Sequence, residues 1–295
     1  MATVGRYQVE GEIGKGAMGV VYLAVDPNLQ RRVALKIHSM PQGLSPRRES
    51  EYRERFLREA QAAAVLSHPG IVAVYDADVD QGTGLPFIAM EYVEGRSLRQ
   101  MLDEEDRLKP DAARALGGEL ARALDAAHAA GIVHRDVKPA NILLSAASGS
   151  AKIADFGVAR LASSELTCSG ASLGSPAYMS PEQISGRRVD GRSDLFSLAV
   201  VLYEALCGAR PFEGEDTAAL AYSVVHETPI PITRRAPGLP RGLDAFFDRA
   251  LAKDPERRFA SGEEFRQALE EANHDGAPSD AESTVVDEGG EGQPE

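Results

Sequence analysis

The sequence predicts an α+β chain folded as two lobes: a small N-terminal lobe with an antiparallel sheet and one main helix, and a larger, mostly helical C-terminal lobe. Two observations predict this arrangement. Short runs of β-branched and aromatic residues, separated by turn residues, precede Gly95, and long helical patterns follow it. We place the lobes at 1–94 and 95–273, with a cleft between them. An acidic tail at 274–295 is predicted to be disordered.

The composition is that of an ordinary globular domain, with 43% hydrophobic and 26% charged residues. Two cysteines, Cys168 and Cys207, are too few for a disulfide framework and favour a reducing cytosol. The sequence shows no signal-peptide pattern, and its longest apolar run, 198–207, is too short to span a membrane. We therefore expect a cytoplasmic protein with no membrane span, or else the catalytic part of a longer receptor.

The net charge of −13 is unevenly distributed. The tail at 274–295 contains seven acidic residues and no lysine or arginine, so much of the acidity lies outside the predicted lobes. No basic surface for nucleic acid is indicated.

The order of elements follows from the local patterns. In the N-terminal lobe one helix is predicted at 49–66, where apolar residues recur at helical spacing. Strands are predicted at 7–15, 19–25, 32–37, 71–78 and 85–91. The C-terminal lobe is predicted to hold helices at 112–130, from 192 onward, and at 261–273.

A glycine-rich run of the form G-x-G-x-x-G lies between the first two strands. Glycines allow a backbone to pass close to phosphates and to direct N–H groups at them. The run consists of Gly14, Lys15, Gly16, Ala17, Met18 and Gly19. A dinucleotide-binding unit would continue into a helix, but β-prone residues follow here, so a strand–turn–strand is favoured. Alone, the pattern is equally compatible with a plain tight hairpin.

Lys36 lies within an apolar strand, and a buried lysine needs a partner to keep its charge. Glu59 on the following helix is the candidate. Glu51 and Glu54 have arginines four residues ahead in the favoured order, whereas Glu59 has none there. A solvated helix charge is the alternative interpretation of Glu59.

The segment HRDVKPAN at 134–141 is the most specific in the chain, and DFG follows at 155–157. Phosphoryl transfer depends on positioning and charge neutralisation. Asp136 can orient a hydroxyl and accept its proton, and Lys138 can neutralise a γ-phosphate. Asn141 and Asp155 supply the oxygen ligands that magnesium prefers.

In this order and with these spacings, the motifs resemble the eukaryotic-like (Hanks-type) protein kinase superfamily, and in particular its bacterial Ser/Thr branch. The resemblance covers about residues 7–273. It implies a bilobal protein-kinase fold that binds ATP with Mg²⁺, or with Mn²⁺ as an alternative, and phosphorylates serine or threonine in proteins. With Lys138, the loop motif resembles that of Ser/Thr kinases rather than that of tyrosine kinases.

The resemblance also implies roles for single residues. Lys36 would hold the α- and β-phosphates and pair with Glu59, and Met90 would be the gatekeeper of the adenine slot. Glu182 would pair with Arg258, and Asp194 would hold the catalytic-loop backbone. Besides the glycine-rich run and Lys36, the residues expected around the nucleotide are Val21, Ala34, Met90, Glu91, Val93 and Leu143.

Residues 155–182 resemble an activation segment rich in hydroxyl groups. Thr167 and Ser169 match the spacing of activating phosphorylation sites in bacterial relatives. A phosphate on either residue could pair with Arg135 and order the segment.

Three kinds of partner are implied. They are protein substrates, a second copy bound through the N-lobe in the region of Asp76, and a forkhead-associated domain recognising phosphorylated Thr284. For the tail, a solubilising linker is the alternative. Rival functions are a pseudokinase that binds nucleotide without transfer, and a kinase of the same fold acting on a small molecule. The complete set of catalytic residues opposes the former.

Overall fold

The N-terminal lobe is built on a six-stranded antiparallel sheet. The computed structural model describes residues 2–16, 19–40, 43–156 and 176–274. Within them the strand order is β1-β2-β3-β4-β6-β5. The strands are β1 Thr3–Val4, β2 Tyr7–Gly16, β3 Gly19–Asp26, β4 Arg31–His38, β5 Val74–Val79 and β6 Pro86–Glu91.

The central strand β4 divides the lobe into two apolar layers, because alternate side chains of a strand point to opposite faces. Val33 and Leu35 pack with the layer that includes Tyr7 and Phe87. Ala34 packs with the layer that faces the main helix. Lys36 has the same parity as Ala34, so the strand places its side chain on the cleft side of the sheet.

The main helix, α1, spans Pro46–Ala64. Its buried stripe, which includes Phe56 and Ala60, is the one that the sequence predicts. The helix begins three residues before the predicted start, with Pro46 in its first turn. A proline is tolerated there because the first helical N–H groups have no acceptor within the helix.

The C-terminal lobe is mostly helical and carries a second, three-stranded antiparallel sheet of order β7-β8-β9. Its strands are β7 Gly95–Ser97, β8 Ile142–Ser145 and β9 Ala151–Ile153. Its helices are α2 Leu98–Glu105, α3 Pro110–Ala129, α4 Pro181–Ile184, α5 Gly191–Cys207, α6 Thr217–His226, α7 Ile232–Arg235, α8 Gly242–Ala250 and α9 Gly262–His274. Short 3₁₀ turns occur at Pro139–Asn141, Pro176–Tyr178 and Pro255–Arg257.

Helix α5 forms the centre of this lobe, because nearly all of its side chains are buried. Helix α3 lies close against it at Gly117. A Cβ at that position would lie 2.8 Å from Leu202 on α5 and 2.6 Å from Leu269 on α9. The absence of a side chain on Gly117 therefore lets three helices meet. The α+β fold class with a sheet-rich first lobe and a helical second lobe is confirmed.

Residues 70–73, which lead from α1 to β5, form backbone hydrogen bonds to the C-terminal lobe. The sequence predicts a strand from residue 71, but β5 begins at Val74. The reason is that the preceding backbone bonds to β9 of the other lobe. Ile153 N donates to Gly70 O at 2.8 Å, and Val72 N donates to Ile153 O at 2.9 Å.

His38, at the end of β4, is a buried polar residue of the N-terminal lobe. It is 2% exposed, its ring lies edge-on to Phe56, and its Nδ1 is 3.4 Å from the Tyr52 hydroxyl. Burial of the ring, aided by the positive charge of Lys36, lowers the pKa of His38 from 6.5 to about 4. The folded protein thus holds this imidazole neutral.

We predict that His38 makes the fold acid-sensitive. The unfolded chain binds its proton near pH 6.5, so stability from the neutral ring is complete above that pH and is lost as the pH falls towards 4. Between pH 7 and pH 5 the wild type should lose about 2 kcal/mol more than His38→Asn in urea unfolding. Identical pH slopes for the two proteins would contradict this.

Candidate active site

The cleft side of the N-terminal sheet carries a lysine–aspartate pair. Lys36 is 7% exposed, and its Nζ lies 2.7 Å from Asp155 Oδ2. Asp155 follows β9 and adopts a left-handed φ of 67°. Burial alone would raise the pKa of Asp155, but the charge and the hydrogen bond of Lys36 outweigh it and lower that pKa. The Asp155 carboxyl is therefore charged at neutral pH.

The expected contact between Lys36 and Glu59 is not formed, since among the described residues Lys36 pairs with Asp155 instead. Glu59 lines a cavity together with residues 131–135 of the other lobe. Of the two helix ion pairs that were predicted near Glu59, one is present and the other is replaced. Glu54 pairs with Arg58 as predicted, but Glu51 pairs with Arg47, which precedes it by one turn.

Five apolar residues expected around adenine belong to one cluster, which we call the apolar slot. Ala34 on β4 and Met90 on β6 are register partners, and Val21, Val93 and Leu143 pack against the same cluster. The structure thus brings together five of the residues that were expected to surround adenine.

Glu91 is the next residue of the chain after Met90. Its N–H donates to Ala73 O at 2.8 Å. The Glu91 N–H is therefore already used within the protein.

The glycine-rich segment is a hairpin between β2 and β3, as predicted. Gly16 pairs with Gly19, Gly14 pairs with Val21 and Lys15 with Val20. Ala17 and Met18 lie outside the described residues. Gly19 has a φ of 146°, and a Cβ there would lie 2.0 Å from Ile37 O. Only glycine fits this close approach of β3 to β4.

The loop at 134–141 gathers three of the predicted catalytic and metal-binding side chains. Asp136 Oδ2 accepts hydrogen bonds from Lys138 Nζ at 2.7 Å and from Asn141 Nδ2 at 3.0 Å. Asn141 Nδ2 also donates to Asp136 O, and Ala154 N donates to Asn141 O. This last bond ties the loop to the residue before Asp155.

Asn141 and Asp155 fit a hard cation. The amide nitrogen of Asn141 donates within the loop, so its Oδ1, like the Asp155 carboxylate, has the chemistry of a cation ligand. No cluster of three or more histidine, cysteine or acidic side chains able to hold a metal is found in the described part of the chain. Magnesium, which takes one or two protein oxygens and completes its shell with phosphates and water, suits such a pair.

Asp194, at the start of α5, holds the loop from below, as predicted. Its Oδ2 accepts from His134 N at 2.8 Å and its Oδ1 from Arg135 N at 2.7 Å. Arg135 has a left-handed φ of 68°, a conformation that costs energy for a residue with a Cβ. The buried carboxylate therefore stabilises a strained backbone beside Asp136.

Two supporting residues were missed by the sequence analysis. His128 Nε2 lies 2.8 Å from Asp194 Oδ2, and Gln183 Nε2 donates to Arg135 O at 2.8 Å. His128 lies six residues before His134, a spacing that carries no signal without the fold. His134 itself donates through Nε2 to Ala154 O and contacts the Phe156 ring, as expected of a packing residue.

The predicted ion pair of Glu182 and Arg258 is present and buried. Arg258 Nη1 and Nη2 donate to the two carboxylate oxygens at 2.7 and 2.9 Å, and Ser193 donates a third bond. Burial would raise the pKa of Glu182, but Arg258 outweighs it and lowers that pKa. The pair fixes α4, and with it the end of the segment that begins at Asp155. Thr167 and Ser169 of that segment lie outside the described residues.

Where the structure describes the chain, none of its helices is both long and apolar enough to cross a membrane.

Residues 7–272 match the family model described as "Protein kinase domain". The chain is 43% identical over 288 residues to the serine/threonine-protein kinase PknB of Mycobacterium tuberculosis, covering 96% of this chain and 45% of that protein. It is 41% identical over 286 residues to a probable serine/threonine-protein kinase of Streptomyces coelicolor, with 95% and 42% covered. The chain thus spans less than half the length of these curated relatives.

Among solved structures, the kinase domain of Mycobacterium tuberculosis PknI is similar. It superposes with a TM-score of 0.72 at 34% sequence identity, covering 92% of this chain and 97% of that one.

Proposed function

This chain belongs to the protein kinase family, and we propose that it transfers the γ-phosphoryl group of ATP to serine or threonine residues of proteins. One observation carries the proposal. Lys36 is paired with Asp155, Asp136 is paired with Lys138 and Asn141, and the residues expected around adenine pack in one apolar cluster. The match to bacterial relatives named as Ser/Thr kinases supports the choice of residue type. We further propose a cytoplasmic location, which ATP use supports.

We assign the roles as follows. Asp136 accepts the proton of the attacking hydroxyl, and Lys138, held 2.7 Å from it, neutralises charge that develops on the transferred group. Asn141 and Asp155 would hold Mg²⁺, with Mn²⁺ as an alternative, and the cation would neutralise the phosphate oxygens. Lys36 would bind the α- and β-phosphates.

Nucleotide binding on this proposal rearranges the Lys36–Asp155 pair. The two side chains now satisfy each other at 2.7 Å, where phosphates and a cation would have to enter. Once Asp155 turns to a cation, Lys36 needs another carboxylate. Glu59, on the face of α1 that borders the other lobe, is our candidate.

Protein substrates are proposed in preference to small molecules. A cavity lined by Asp136, Lys138, Tyr178 and Met179 lies where a substrate hydroxyl must approach. The buried Glu182–Arg258 pair holds α4, which begins two residues after Met179, and this supports a docking platform for a peptide.

We predict that the chain phosphorylates itself at Thr167 or Ser169 when given ATP and magnesium. Asp136→Asn should lower the rate at least about a hundredfold, since general-base removal costs on that order. Asp248→Asn, an exposed aspartate on α8, is the control and should label like the wild type. Phosphate transfer is followed by autoradiography, and the sites by mass spectrometry.

Each outcome has one meaning. Labelling by Asp136→Asn as strong as that of the wild type would remove the proposed base. Nucleotide binding without labelling of the chain or of generic proteins would favour the pseudokinase. Labelling confined to other hydroxyls would overturn the assignment of Thr167 and Ser169.

A second copy of the chain is a proposed partner, bound through the N-lobe near Asp76. In the single chain, Asp76 pairs with Arg6 at 2.6 Å and accepts a bond from the Tyr7 hydroxyl. Asp76→Ala should shift the concentration dependence of the mass in sedimentation towards the monomer. A wild-type chain that stays monomeric at every concentration would contradict this.

The tail is a proposed recognition site for a forkhead-associated domain, through phosphorylated Thr284 with Asp287 three residues on. Such a domain should bind the phosphorylated wild-type chain and should not bind the Thr284→Ala variant. Equal retention of both proteins would leave the tail a solubilising segment.

A further inference from the structure

Three segments meet at the boundary between the two lobes. We call this the interlobe junction. It consists of residues 70–73, which lead from α1 to β5, of Glu91 at the end of β6, and of Lys152 and Ile153 on β9. Backbone bonds of Gly70 and Val72 with Ile153 fix the first segment to β9. Backbone hydrogen bonds at the junction therefore hold the two lobes together.

An ion pair closes the junction. Lys152 Nζ lies 2.7 Å from Glu91 Oε1 and 2.9 Å from Oε2, so it contacts both carboxylate oxygens. Glu91 Oε2 also accepts from Ala73 N at 3.3 Å, and Glu91 N donates to Ala73 O. Both side chains are partly buried, with 26% and 19% of their surface exposed, so water screens the pair less than it screens a surface pair.

The two members of the pair lie in segments that lead to the two ends of the proposed nucleotide site. Glu91 directly follows Met90 and lies two residues before Val93, so it belongs to the backbone that faces the adenine edge. Lys152 lies three residues before Asp155, the proposed cation ligand, on the strand that leads to it. A change in the distance between Glu91 and Lys152 would therefore change the distance between the two ends of the site.

We propose that Glu91 and Lys152 act through their side chains as a positioning pair, which holds the adenine slot and Asp155 at the separation that MgATP requires. The inference rests on the proposed function, because it concerns the same site. A ligand that touches both ends gains affinity from a spacing that is set in advance. A ligand that occupies the slot alone gains nothing from that spacing. The pair therefore distinguishes MgATP from adenosine.

The test compares two ligands on the same proteins. Glu91→Gln keeps the shape and an oxygen for Ala73 N but removes the charge, and Lys152→Met keeps the chain length. Each should weaken MgATP binding by on the order of fivefold in calorimetry, while adenosine affinity changes by less than about twofold. The double variant should be no weaker than either single one, because each substitution removes the same interaction.

Matched controls separate spacing from general loosening. Glu270→Gln removes an exposed carboxylate that pairs with Arg266 on α9, and should leave both affinities unchanged. Thermal unfolding of each variant checks that it is folded. Equal loss of MgATP and adenosine affinity, or no loss of either, would overturn the positioning role.

Binding is measured in the Asp136→Asn background and phosphate transfer in the wild type, which keeps the two proposals distinguishable. The predicted split in binding, with no transfer by the wild type, would overturn the kinase activity and support the pair. Transfer by the wild type with no split in binding would do the reverse.

Discussion

The carboxylate of Asp194 is the contact on which the catalytic loop depends. It is 1% exposed, and it accepts the N–H groups of two consecutive residues, His134 and Arg135. Such a buried charge is tolerated only when several donors satisfy it. Here the donors are the loop backbone itself together with His128. Helix α5 thereby imposes on the loop the left-handed residue that turns Asp136 and Lys138 into the cleft.

Charge compensation explains the rest of the site. In the part of the site that the structure describes, four acidic groups each have a cation within hydrogen-bond distance: Asp136 has Lys138, Asp155 has Lys36, Glu91 has Lys152 and Glu182 has Arg258. Of these, the Glu182–Arg258 pair is fully buried and already holds further hydrogen bonds, so it is fixed. The Lys36–Asp155 pair borders the open cleft, where an anion and a cation could replace each partner. The Glu182–Arg258 pair is therefore suited to stabilising the fold, and the Lys36–Asp155 pair to exchanging its partners for a ligand.

Much of this could be predicted from the sequence, because the chemistry lies in short contiguous motifs. The loop at 134–141 and Asp155 were predicted because they lie in contiguous motifs, and the hairpin was predicted because β-prone residues follow the glycine-rich run. The partner of Lys36 could not be deduced, since Glu59 and Asp155 are both far from it in the chain and only the position of α1 decides between them. His128, Gln183 and the Glu91–Lys152 pair were missed for the same reason. Each acts across a tertiary contact that no periodicity records.

The predicted start of β5 was wrong, and this error lies where the two lobes touch. Residues 71–73 have the apolar character of a strand, yet Val72 bonds to Ile153 of β9, and the chain bonds to Glu91 of the N-terminal sheet only at Ala73. A propensity describes which conformation a residue favours, and the same extended conformation serves either sheet.

The close approach at Gly19 has a consequence for how the protein tolerates change. Its missing Cβ lets β3 lie against Ile37 O, and the same pairing sets Val21 opposite Lys36. Any larger residue there would force the hairpin away from β4 while every charged group of the cleft stayed in place. Mutational tolerance at this position is therefore limited both by side-chain volume and by the φ of 146°, and the capacity to hold a nucleotide could disappear from a lineage whose catalytic residues all persist.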